Sequence, residues 1–377
     1  MERLFESVTL GELELPNRMI MAPLTRCRAS AGRVPNDLMR EYYTQRAGAG
    51  LIFTEATAVT PDGVGYVDTP GIWSREQVAG WKRITDSVHQ AGGRIVCQLW
   101  HVGRLSHRDF LDGRAPFAPS ATACPGEIRL PRNRHAPYGT PREMTLDEIE
   151  ATIEMYRLGA QNAREAGFDG VELHGANGYL PDQFLRDGTN KRTDEYGGSL
   201  ENRARFLLEA TDALISVWGA GRVGVHLSPR DMEHHGIADS EPAATFEYVA
   251  RELGSRKIAF LFTRESKSGG PRFSPAMKKA FGGPLIANEE FTRDEAQTVL
   301  ENGEADAVSW GKMFIANPDL PLRFKLDAPL NQPDANTFYA SGAQGYTDYP
   351  FLDDADANAG AHRAQAHREE SRQAVAA

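Results

Sequence analysis

Short apolar runs alternate along this chain with longer amphipathic stretches. Eight runs are short and apolar on both faces: Arg18–Ala22, Leu51–Thr57, Arg94–Leu99, Gly170–His174, Arg222–Leu227, Ile258–Phe262, Pro284–Ala287 and Ala305–Ser309. Strands of a parallel sheet covered on both faces have this pattern. Between them lie stretches with helical periodicity: Asn36–Ala47, Ser74–Ala91, Thr145–Ala166, Ser199–Trp218, Pro242–Leu253 and Arg293–Asn302. Ser74 with Gln77 and Thr145 with Glu148 fit capping boxes, Ser199 precedes Asn202, and glycines follow Ala91, Ala166 and Leu253. Eight strands alternating with helices predict an α/β chain, either a closed barrel or an open doubly wound sheet.

Two segments break the alternation. Residues 101–144 are rich in Pro, Arg and Gly and follow the third strand; a loop that long is usually functional, with a structural flap as the plain alternative. From Asp353 the chain turns polar, predicting a loosely held tail over 351–377 after one domain spanning 1–350.

At 377 residues the chain exceeds a barrel core of about 250 and leaves room for insertions. Its 41% hydrophobic and 25% charged residues are ordinary for a globular protein, so a sizeable core needs no disulfide or metal. The net charge of −10 argues against general binding to nucleic acid or an anionic membrane. The start, Met1 to Ser7, lacks the apolar core of a signal peptide, and no apolar run could span a bilayer. Cys27, Cys97 and Cys124 form an odd set without Cys-x-x-Cys spacing, which reads as reduced thiols in the cytoplasm. His234-His235 lacks metal-ligand spacing, so no metal is expected.

The candidate chemistry lies at the carboxyl ends of the strands, where barrels build active sites. The first strand runs into Pro23-Leu24-Thr25-Arg26 and the second into Glu55-Ala56. The third ends in Gln98-Leu99-Trp100-His101, the fourth in Glu172-Leu173-His174, and the fifth in His226-Leu227-Ser228. The segment His174-Gly175-Ala176-Asn177-Gly178-Tyr179-Leu180 is the most specific. Its glycines permit a tight turn that gathers an imidazole, a carboxamide and a phenol. The first two suit an oxygen that gains negative charge, and the phenol suits proton delivery. The plain alternative is that His174 and Asn177 only satisfy backbone groups.

These motifs resemble the old yellow enzyme family, in particular the bacterial N-ethylmaleimide, nitrate-ester and xenobiotic reductases. The resemblance rests on Leu15-Pro16-Asn17-Arg18, Ala22 to Arg26, Gln98 to Arg104, His174 to Leu185, Tyr196-Gly197-Gly198-Ser199 and Gly345 to Pro350, and covers nearly the whole chain except the tail. It implies a (β/α)₈ TIM barrel with a long insertion after strand 3, binding FMN and taking hydride from NADPH or NADH. It implies reduction of activated C=C bonds in enones, maleimides and nitroalkenes, with nitrate esters and nitroaromatics as further classes. Pro23, Leu24, Thr25, Ala56, Gln98 and His226 would then line the flavin, and Asn288, Gly311 and Lys312 its phosphate. His174 and Asn177 would bind the activating oxygen of the substrate, Tyr179 would be the proton donor, and Tyr66, Trp100 and Tyr346 would wall the pocket. The partners are small electrophiles, and the chain is expected as a monomer or small homo-oligomer.

In three places the chain departs from the family's usual pattern. His226 stands where many members carry arginine beside the flavin N1 edge. Because histidine has a reference pKa of about 6.5, this exchange predicts a pH-dependent flavin potential, against the alternative of a neutral imidazole that only hydrogen-bonds the ring. Asn288-Glu289-Glu290 stands where a glycine-rich loop is usual, so the carboxylates must turn away from a phosphate and leave backbone N–H groups to it. Lys312 replaces arginine as a point charge without the bidentate fork. The rivals are another FMN barrel, of the hydroxy-acid oxidase or dihydroorotate-type dehydrogenase kind, and a ligand-binding barrel without turnover.

Overall fold

The computed structural model describes residues 2–268 and 270–353, residue 234 by its backbone only. The expected polar tail lies outside the described residues from 354 onward.

Eight parallel strands follow one another around a ring: β1 (Met19–Met21), β2 (Leu51–Phe53), β3 (Ile95–Trp100), β4 (Gly170–His174), β5 (Val223–Leu227), β6 (Phe260–Arg264), β7 (Leu285–Asn288) and β8 (Ala307–Trp310). β8 pairs back onto β1 through Val308 and Met19, so the sheet closes and the open alternative is excluded. A helix of eight or more residues follows each of the first seven strands: α1 (Asp37–Gln45), α2 (Arg75–Gln90), α3 (Leu146–Glu165), α4 (Leu200–Trp218), α5 (Pro242–Ser255), α6 (Ser274–Phe281) and α7 (Arg293–Glu301), with a shorter one, Leu180–Leu185, ahead of α4. The short helices Lys312–Ala316 and Leu320–Leu326 follow β8. This is the (β/α)₈ barrel. The capping boxes of α2 and α3 form as expected, and α7 has a third in Thr292 and Glu295.

β6 begins two residues later than the apolar run suggested. Ile258 and Ala259 are buried ahead of the strand, where Ala259 packs with an antiparallel hairpin, Val8–Leu10 with Leu13–Leu15, that the sequence reading did not foresee. Gly11 turns this hairpin at φ +60, and a Cβ there would lie 2.5 Å from the carbonyl of Gly221. Leu10, Leu13 and Leu15 pack against Ile20, Phe53, Phe260 and Phe262, an apolar filling of the barrel.

Strand periodicity separates two environments. Val171 and Leu173 of β4 belong to the main core between strands and helices, as do Val225 and Leu227 of β5. The alternate residues Glu172, His174 and His226 face the barrel interior with Gln98 of β3. Register aligns Glu172 with Gln98 and with Gly224, and His174 with His226. A Cβ on Gly224 would meet the Phe260 ring at 2.0 Å, so only glycine leaves that aromatic its place.

The insertion after β3 contains an antiparallel pair, Glu127–Leu130 with Arg134–Pro137, and a short parallel pair, Phe117–Ala118 with Arg142–Glu143. Two buried guanidiniums fasten it. Arg104 donates to the carbonyls of Thr122 and His235 (3.0 and 2.8 Å), and Arg192 to those of Pro119 and Met144 (3.1 and 2.6 Å).

Candidate active site

β4 delivers His174, and the chain then turns through Asn177 (φ +58) and Gly178 (φ +78). Asparagine is among the few residues that visit this left-handed region readily. A Cβ on Gly178 would approach Ile237 Cγ1 to 2.6 Å. Ser228 Oγ accepts from the Asn177 amide (2.8 Å), and the Asp182 carboxylate from that of Gly178 (2.9 Å), while Arg186 pairs with Asp182 (2.9 Å). Arg264, at the carboxyl end of β6, donates from Nη1 to Asn177 Oδ1 (3.0 Å). That bond orients the carboxamide and leaves its NH₂ free to donate elsewhere.

The three side chains of the motif are brought together. The buried His174 ring lies parallel to His226, centroids 5.1 Å apart, and 4.9 Å from the Tyr179 ring. Burial first, and then Arg264, hold the His174 pKa down at about 3, so the imidazole is neutral. Burial pushes the Tyr179 phenol well above its ordinary value, so it keeps its proton. Its hydroxyl lies 3.0 Å from that of Tyr66, and Trp100 packs edge-on at 5.1 Å. Ala56 completes this cluster with Trp100 and Tyr179.

A cavity of about 580 Å³ opens beside this cluster. Pro23, Leu24 and Thr25 line it together with Asn177, His226 and Arg264, and it extends to Asn288–Thr292 and Gly311–Met313. At that far end the non-glycine residues Glu289 and Glu290 adopt φ +144 and +57. Such conformations cost on the order of 1–3 kcal/mol each. The Glu289 carboxylate pairs with Arg264 (3.3 Å). The Asn288 carboxamide donates to Ser309 O and Oγ (3.1 and 2.9 Å), so its side chain is committed to β8 and only its backbone is available to a ligand. Lys312 opens the helix Lys312–Ala316, whose first N–H groups have no intrahelical partner. A Cβ on Gly311 would come within 2.9 Å of Leu24.

Tyr346 does not line this cavity. It is fully buried, stacked on Tyr42 at 4.0 Å and flanked by the guanidiniums of Arg26 and Arg28. Arg26 and Arg28 hold the segment 337–345 by its carbonyls: Arg26 reaches Phe338 (3.1 Å) and Gly345 (2.8 Å), and Arg28 reaches Thr337 (3.0 Å). This clamp carries Phe338 and Tyr339 onto the cavity wall, so Tyr339 takes the place expected of Tyr346. Arg264 and Phe262 also line the cavity unforeseen. Arg264 obeys the rule of polar residues at strand ends, because the sixth strand runs on to it, two residues beyond the apolar run that ends at Phe262.

Burial, then the proximity of His174 and Arg264, hold the His226 pKa well below its ordinary value, which favours the neutral imidazole in the protein alone. Gln98 Nε2 lies 3.2 Å from His226 Nδ1 and 2.7 Å from Glu172 Oε2. His226 Nε2 is buried, has no protein partner and belongs to a residue on the cavity wall. An unpartnered imidazole nitrogen there, with Thr25 on the same wall, N–H groups and Lys312 at the far end, fits a flat polar ring carrying an anionic tail.

Residues 3–331 match the model of the family described as NADH:flavin oxidoreductase / NADH oxidase. The 12-oxophytodienoate reductase 1 of Oryza sativa subsp. japonica is 44% identical over 359 residues, 92% of this chain and 92% of that protein. The solved structure of the old yellow enzyme homologue from Zymomonas mobilis superposes with a TM-score of 0.90 at 45% identity, covering 93% of this chain and 99% of that one. Morphinone reductase in complex with tetrahydroNAD superposes with a TM-score of 0.89 at 50% identity, covering 93% and 98%. Among the described residues no helix is long and apolar enough to cross a membrane. The chain thus belongs to the NADH:flavin oxidoreductase / NADH oxidase family, and is an FMN-dependent oxidoreductase of the old yellow enzyme kind.

Proposed function

We propose that this enzyme reduces C=C bonds conjugated to a carbonyl or nitro group, and that His174, Asn177 and Tyr179 carry that step. The supporting observation is a protonated phenol 4.9 Å, ring to ring, from a neutral imidazole, on the same turn as a carboxamide oriented by Arg264. FMN, when bound, would supply hydride-transfer chemistry between a reduced nicotinamide and the β-carbon of the substrate. Pro23, Leu24, Thr25, Ala56, Gln98 and His226 would hold its ring, and the backbone of 288–290 and of Gly311 with Lys312 its phosphate.

As hydride arrives, negative charge collects on the activating oxygen. His174 and the Asn177 NH₂ donate to that oxygen, binding the charged transition state more strongly than the neutral substrate. Tyr179 gives its proton to the α-carbon. A phenol with a raised pKa is a poor resting base but a competent acid toward a strongly basic carbon. Tyr66, Trp100 and Tyr339 wall the substrate space.

A hydroxy-acid oxidase would need a base at the strand ends, and His174, its pKa held down at about 3 by burial and Arg264 and without a carboxylate partner among the described residues, is a weak one. The buried, unpaired thiols of Cys27, Cys97 and Cys124 support the cytoplasm as the compartment. The test is anaerobic reduction by NADH and by NADPH, then re-oxidation by a panel of enones, maleimides, nitroalkenes and nitrate esters. Bleaching followed by recovery with enones is expected. A flavin re-oxidised by oxygen alone would remove the proposed step.

A further inference from the structure

Glu172 is a carboxyl group fully buried inside the barrel, with no cation in contact among the described residues, and the catalytic proposal does not use it. Its Oε2 accepts from Gln98 Nε2 at 2.7 Å, and its Oε1 has no protein partner. The same Gln98 nitrogen lies 3.2 Å from His226 Nδ1. One NH₂ group has two hydrogens, and here it has two acceptors. With the first spent on Glu172, the second points to His226 Nδ1, which must accept and hence carry no proton. The remaining proton then sits on Nε2, the buried nitrogen without a protein partner. The His226 ring cannot readily turn out of this arrangement, packed between His174 (5.1 Å, 6° from parallel) and Phe262 (4.3 Å).

We propose that Glu172 is a positioning residue which, through Gln98, locks His226 in the Nε2–H tautomer and so presents a neutral N–H donor to the flavin. This rests on the placement of the flavin beside His226 given above. The N1 and C2=O edge of an oxidised flavin offers only acceptors, so it needs a donor, and the tautomer supplies one without a fixed cation. The opposite orientation of the Gln98 amide would require both neighbours to donate to its oxygen, which places the His226 proton on Nδ1. The two arrangements differ in a measurable way.

Burial holds the Glu172 carboxyl protonated up to about pH 8, with the Gln98 hydrogen bond opposing only in part. A neutral acid can therefore be replaced by an amide with little electrostatic change. In Glu172→Gln the side-chain oxygen still accepts from Gln98, and the lock should persist. In Glu172→Leu the anchor disappears and the amide can rotate.

The test is ¹⁵N NMR of histidine-labelled holoenzyme at neutral pH, with the His226 signals assigned by their loss in His226→Gln. Wild type and Glu172→Gln should show a protonated Nε2 and a bare Nδ1. Glu172→Leu should show averaging between tautomers and a lowered flavin midpoint potential, since the donor is then absent part of the time. If Glu172→Leu does not fold, Gln98→Leu removes the bridge while keeping Glu172 and should give the same averaging. A proton on Nδ1 in wild type, or an unchanged pattern in either leucine variant, overturns the proposal. Enone reduction is read separately, so failure of the catalytic reading and failure of the tautomer lock are distinguishable.

Discussion

The two ends of the cavity are built on opposite principles. At the end lined by Asn177, beside His174 and Tyr179, each backbone irregularity is pinned by buried partners: Ser228 and Asp182 hold the turn, and Arg264 holds the carboxamide. At the end formed by 288–292 and 311–313, two glutamates occupy conformations suited to glycine, and a lysine is the local cation. In the proposed reaction the first end would fix side chains where charge develops. The second, as the proposed phosphate site, would offer backbone amides to a group that never reacts, and so would tolerate other side chains provided they point away. Chemistry constrains side-chain identity, whereas anchoring constrains backbone shape.

The comparison can be broken most forcefully at Tyr179. Tyr179→Phe should leave flavin reduction by the nicotinamide intact and slow enone re-oxidation by roughly 10²–10⁴. Stopped-flow traces of the two half-reactions check this, and equal slowing of both would move the acid elsewhere. Next in size, His174→Ala combined with Asn177→Ala should weaken a p-substituted phenol, an enolate mimic, by roughly 10²-fold, as the loss of anion-binding donors does elsewhere. Titration of the flavin absorbance measures it, and unchanged affinity would place the oxygen site away from this turn.

Lys312→Met tests the other end. Losing one charge-assisted contact of roughly 1.5–3 kcal/mol should raise the FMN dissociation constant about tenfold or more while leaving enone turnover of the loaded enzyme near wild type. Glu289→Gly with Glu290→Gly relieves strained backbone and removes two carboxylates. FMN should bind a few-fold tighter, a gain of about 1 kcal/mol once the added chain entropy of glycine is counted. Weaker binding would show that the glutamates serve the phosphate site directly.

The smallest effect concerns the barrel interior. Glu172 titrates at about 8 when folded against an ordinary 4.5, and burial raises Glu55 to about 7 in the same sense. Between 4.5 and these values the folded chain binds more protons than the unfolded one, so their contribution to stability falls as pH rises through that window. The melting temperature of Glu172→Gln should therefore decline less than that of wild type from about pH 5 to 8. Parallel curves would mean that Glu172 is ionised throughout.

What the chain determined by itself was local. Alternation of apolar runs and capped helices revealed the strands and helices, because period and capping depend on residues a few positions apart. The His174–Tyr179 turn was legible for the same reason: six consecutive residues at a strand end carry its chemistry. Tertiary structure alone decided which aromatic reaches the pocket. Tyr339 and Tyr346 are seven apart and equally plausible in sequence. Arg26, 312 positions before Phe338, fastens that segment so that Tyr339 lines the cavity and Tyr346 enters the core. Strand register likewise brought Gln98 beside Glu172 and His226, 74 and 128 residues away. Local patterns record what a segment prefers, but hydrogen bonds between distant segments decide where its side chains end.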